Sequence, residues 1–138
     1  MIRHCPLGPF QEAVYKLLTT YQTAKVYNVP TFTFEYPCVS LRAYDIAIGG
    51  AKNVDISEVS VEIGIYSKYK GVEEIAGVLN DVENVLTNAP IDLSADHYAV
   101  LSTDIAGKAR IDVIADTNSP VKYAATLTFA AKIQYIGG

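Results

Sequence analysis

At 138 residues, half of them hydrophobic and 19% charged, the chain has the size and composition of one globular domain with a substantial core. Its net charge of −4 and its eleven thinly spread basic residues, from Arg3 to Lys132, argue against a dedicated nucleic-acid binder, which neutralises phosphates with clustered Lys and Arg. No apolar run is long enough to cross a bilayer, and Met1–Phe10 holds two prolines and a glycine where a secretory signal has its apolar centre.

The first element opens at Gly8-Pro9, because proline at the start of a helix has no amide to lose there. Phe10, Ala13, Val14, Leu17, Leu18 and Tyr21 then fall at helical spacing, with Gln11, Glu12, Lys16 and Thr20 on the other side, which predicts an amphipathic helix over 9–22 after a flexible stretch of 1–8. Lys25–Tyr27 reads as a short strand ended by Asn28 and Pro30. Pro37, which cannot donate to a ladder, leads a second strand over 38–44. Residues 45–56 read as a long loop around Gly49-Gly50 and Lys52-Asn53, although Ile46 and Ile48 lie in it.

Ser57–Tyr66 is the clearest strand. Val59, Val61, Ile63 and Ile65 alternate with Glu58, Ser60 and Glu62, so one face is buried and the other polar. After Gly71, the residues Val72, Ile75, Ala76, Leu79, Val82 and Leu86 repeat at helical spacing until Asn88-Ala89-Pro90. Strands follow over 97–105 and 109–115, with Gly107 as the turn between them. The cluster Asp116–Pro120 makes another turn, and a long strand runs over 121–136. The order helix, strands, helix, strands predicts an α+β domain, 1–138, with an antiparallel or mixed sheet and both helices on one face.

No catalytic constellation emerges. His4 and His97, with Cys5 and Cys38, lack the short spacings of zinc sites, and a pair of free thiols is the better reading of the two cysteines than a disulfide. Gly49-Gly50 lacks the flanking residues of a phosphate loop. Glu58 and Glu62 share a strand face roughly 13 Å apart at strand rise, which is wider than a glycosidase carboxylate pair. Glu73-Glu74 fit the first turn of a helix, where negative charge offsets the dipole. Asp104 and Asp112 read as turn and edge residues. The chain therefore implies no cofactor and no metal, and ten tyrosines without a tryptophan lean it toward contact surfaces.

Four local signals in this order resemble the tail-terminator, or head–tail joining, proteins of long-tailed bacteriophages: "GPFQEAVYKLL" from Gly8, "FEYPCVSL" over 34–41, "SVEIGIYSKYKGVEEIAGVLNDVENVL" over 60–86, and the long last strand. The likeness spans about 8–136, and no motif in it is catalytic. It implies a structural virion protein made in the host bacterial cytoplasm. That protein forms a homo-oligomeric, usually hexameric, ring that caps the tail tube protein and docks onto a head-completion or connector protein. DNA passes through such a ring without sequence-specific binding, and no membrane is involved. On that reading Ile46, Ile48, Gly49, Gly50 and Lys52 are candidate interface residues, and Glu58 and Glu62 candidate channel-facing acids. A neck adaptor of the same virion, a small non-viral binding domain and an undetected enzyme are the rival readings.

Overall fold

The structure, a computed structural model, describes residues 4–28, 35–49 and 55–137, and within that span leaves the side chains of 106–108 undescribed. The elements are α1 (Leu7–Tyr21), β1 (Lys25–Tyr27), β2 (Cys38–Gly49), β3 (Ile56–Ser67), α2 (Glu73–Asn88), a 3-10 turn (Ser94–Asp96), β4 (Tyr98–Val113) and β5 (Tyr123–Tyr135). The strands form one sheet in the order β1-β2-β3-β5-β4, parallel at β1–β2 and antiparallel elsewhere. This is the expected α+β architecture with a mixed sheet.

Both helices cover the same face. Phe10, Val14 and Leu18 of α1, and Ile75, Val82, Val85 and Leu86 of α2, share one buried cluster with Val59, Val61, Ile63 and Ile65 of β3 and Leu127, Phe129 and Ile133 of β5. The rings of Phe10 and Phe129 stack at 6.0 Å between centroids. Helix α1 starts at Leu7, two residues before the expected Pro9. Pro9 still lies in the first turn, where an amide has no partner inside the helix, so its missing N–H is harmless.

Two expected loops are strand. The 45–56 loop is replaced, up to Gly49, by a continuation of β2 that pairs with β3 from Asp45↔Ser60 to Gly49↔Ile56. The rest of the expected loop between the two strands, 50–54, lies outside the described residues. The physical reason is alternation: Tyr44, Ile46 and Ile48 share the helix-side face with Val61, Val59 and Ser57, while Asp45 and Ala47 share the other. A bulge at Leu41–Ala43 places both Arg42 and Ala43 opposite Glu62 and shifts the pleat by one residue.

Likewise Gly107 does not end a strand. β4 runs from Tyr98 to Val113 as one element, with a register shift between Ala106 and Arg110 that accommodates the glycine as an irregularity. Nor is the expected flexible stretch 1–8 loose throughout. Leu7 and Gly8 are helical, and the backbone N–H of His4 donates to Asp55 Oδ2 at 2.9 Å. The His4 ring lies 2.8 Å from the same oxygen through Nδ1 and stacks on Tyr135 at 3.6 Å.

Candidate functional site: the open sheet face and its edges

With the helices on one side, the opposite face of the sheet carries no element among the described residues. Register sets its composition. Glu58, Ser60 and Glu62 of β3 lie beside Lys132, Ala130 and Thr128 of β5, and Lys132 and Ala130 lie beside Ser102 and Asp104 of β4. Small and polar side chains dominate, so the face is low and wet. Gly64 keeps it flat at one point: a Cβ there would sit 2.6 Å from Arg42 Cδ and 2.7 Å from the Tyr66 hydroxyl, so both side chains lie across the bare glycine backbone.

The two predicted acids are on this face, and each has a basic neighbour. Glu58 Oε1 is 3.6 Å from Lys132 Nζ, and Glu62 Oε1 is 3.5 Å from Arg42. They do not face each other across a cleft. On β2 to β5 the described charges of the face are Asp45, Glu58, Glu62, Asp104 and Asp112 against Arg42, Arg110 and Lys132, an acidic excess.

Of the five predicted interface residues, Ile46 and Ile48 project from the helix-side face of β2, 40% and 66% exposed. They lie beyond the reach of the helices that bury their neighbour Val59. Gly49 is the last residue of β2, and Gly50 and Lys52 lie outside the described residues. Sequence reasoning missed a second exposed apolar pair on β4, Leu101 at 48% and Val113 at 71%. Their signal was present, as large apolar residues in a strand, but only the strand order shows that β4 is an edge.

Elsewhere the polar groups serve the fold. Ser67, fully buried at the end of β3, donates its hydroxyl to Glu74 Oε1 at 2.7 Å and accepts from the Tyr69 N–H. This ties β3 to the first turn of α2, where the carboxylate also meets the helix dipole. The Tyr44 hydroxyl donates to Asn28 Oδ1, and Asn28 Nδ2 donates to Gln11 Oε1, linking β2, the end of β1 and α1. Burial pushes the Tyr44 hydroxyl above its ordinary range and the Cys38 thiol up to about 11. Cys5 and Cys38 are both free thiols, one exposed and one buried. A shallow groove of about 260 Å3 lies between α1 and the segment 90–92, lined by Leu17, Tyr21 and Ile91 with Lys16 and Asp92 at its rim. Among the described residues no three His, Cys, Asp or Glu side chains come together in a metal-binding arrangement. No described helix is long and apolar enough to cross a membrane.

No protein-family profile and no curated protein matches the sequence. Solved structures do. A chain of the virion of a native gene transfer agent particle superposes with a TM-score of 0.77 at 19% identity, over 95% of this chain and 99% of that one. The gp17 protein of bacteriophage SPP1 superposes at 0.54 with 17% identity, over 95% and 93%. What is shared is the fold. It is shared over nearly the full length of each chain.

Proposed function

We propose that this chain is a structural component of a phage-like particle, acting as the terminator of a tail. In this reading copies form a ring, hexameric by resemblance, that caps the tail tube protein and receives the head-side connector. The protein reaches the virion after synthesis in the host cytoplasm, and works by stoichiometry rather than turnover. The observation that carries the reading is the match to a virion chain over 95% of this chain and 99% of that one. The order of the sequence motifs points the same way.

The open sheet face supplies the channel wall in this reading. It is polar and carries no covering element among the described residues, and its acidic excess keeps DNA from sticking as it passes. Glu58 and Glu62 are the channel acids, and Lys132 and Arg42 temper their charge. Ile46, Ile48, Gly49, Gly50 and Lys52 belong to contacts between subunits or with the tail.

Deleting the gene tests the proposal. Heads should fill with DNA while tails remain unjoined or grow to irregular length, and purified protein should restore joining in proportion to the copies added. Normal joined particles without the gene, or full rescue by a small fraction of the normal copy number, overturn it. Purification of the protein with filled heads rather than with tail tubes would assign it to the neck instead.

A further inference from the structure

The sheet has two unpaired edges among the described residues, and they match. Among the described residues β1 covers β2 only at Cys38–Ser40, β2 has no other partner on that side from Leu41 to Gly49, and β4 has none on its outer side. Long edges bearing apolar side chains invite another strand. Both edges bear them: Ile46 and Ile48 on one, Leu101 and Val113 on the other.

Strand directions decide how the edges can meet. Across β2, β3, β5 and β4 the directions alternate strictly, so β2 and β4 run opposite ways. When a second copy is placed side by side in the same orientation, its β2 meets the first copy's β4 antiparallel, and the alternation continues without a fault. We infer that β4 of one subunit pairs antiparallel with β2 of the next, joining successive sheets edge to edge. The inference rests on the ring reading for its choice of a head-to-tail contact, which is the kind that closes rings.

Charge fixes the register. On the open face, β2 carries Arg42 in its bulge and then Asp45, while β4 carries Arg110 and then Asp112. Antiparallel pairing with Asp45 opposite Arg110 brings Ala43 and its bulge neighbour Arg42 opposite Asp112, so both contacts become attractive together. Alone, Arg110 Nε turns back to Asp112 at 2.7 Å, an ion pair whose arginine is 78% exposed and free to be shared. On the helix side the same register sets Tyr44 opposite Ile111. The strand ends also fit: Val113, the last residue of β4, falls just past Ser40, where β1 stops covering β2. Pairing two β4 edges or two β2 edges would also match charges, but each leaves the other edge of the sheet without a partner strand.

Charge exchange tests this. Asp45→Arg and Arg110→Asp should each weaken self-association about tenfold or more in sedimentation velocity and native mass spectrometry, since each sets like charges opposite one another. The double variant should recover to within about threefold of the unmodified protein, and a thermal melt followed by circular dichroism should show all three folded. Loss with Arg110→Asp alone, and no recovery in the double variant, would mean β4–β4 dimers and overturn the head-to-tail junction. Single variants that assemble normally overturn it too, as does a chain that stays monomeric at ~1 mM. Rings that form despite the substitutions leave the terminator reading standing, whereas edge pairing in a protein absent from particles does the reverse.

Discussion

The two faces of the sheet are built from the same strands to opposite ends. On the covered face, Val59, Val61, Ile63, Ile65, Leu127 and Phe129 are at most 2% exposed and meet two helices. One residue along, on the open face, stand Glu58, Ser60, Glu62, Thr126 and Thr128, which meet no element among the described residues. The covered face holds the stability, since apolar area removed from water is the dominant favourable term in folding. The open face contributes little to it and is therefore free to take whatever chemistry an outside partner needs.

Substitutions can break or sharpen that contrast, and the largest effect belongs to the covered face. Phe129→Ala removes a ring that stacks on Phe10, and should cost about 3–5 kcal/mol in a urea titration. A loss under ~1 kcal/mol would mean the helix layer is not what holds the sheet. Ser67→Ala should cost about 1–3 kcal/mol, because it leaves the partly buried Glu74 carboxylate and the Tyr69 amide short of a partner. Restoration by Thr at the same position would locate the effect in the hydroxyl.

Cys38, buried on the other face of the sheet opposite Tyr66, gives a pH-dependent reading of its own. Its thiol rises from an ordinary 9.0 to about 11 on folding, so the folded state holds the proton more tightly than the unfolded one. The associated stability is whole below pH 9, falls between pH 9 and 11, and is gone above. Cys38→Ala should flatten that stretch of the stability–pH curve, and in the folded protein a thiol reagent should modify Cys5 first. The smallest effect belongs to the open face: Glu58→Gln should change stability by less than about 0.5 kcal/mol, as expected for an exposed ion pair. If the chain forms the proposed ring, changing Glu58 and Glu62 together to Lys should make DNA retention by that ring salt-sensitive. Unaltered DNA release from such rings would place the open face away from the channel.

The same contrast explains what the sequence disclosed. β3 was legible because a central strand with one wet face must alternate, and Ser57–Tyr66 does so without a break. Helix α2 was legible from its 3.6-residue repeat, though not in depth. Leu79, which the repeat places on the core side, is only partly buried, and Ile75 and Val82 carry the contact instead. The hairpin was obscured by Gly49-Gly50 and the long β4 by Gly107, since glycine punctuates loops more often than it sits in a strand.

Ile46 and Ile48 stood out as apolar residues that their own subunit could not easily bury, and they are indeed exposed, but on a strand. Val113 and Leu101 could not be recognised in the same way. That they lie on an edge follows from β5 inserting between β3 and β4, a choice of strand order that no local pattern records.

That insertion has a consequence for how the protein is made. β4 is synthesised before the strand that will lie between it and β3, so for a time it has no neighbour in the sheet on either side. During this interval Tyr98, Val100, Ile105 and Ile111 have little to pack on, and sixteen residues of extended backbone are open to any passing strand. A chain truncated just after Val113 and released should therefore be a sticky intermediate that holdase chaperones retain. Once β5 has emerged it zips against both neighbours at once, and the grip on the chaperone should end in a single step rather than fade.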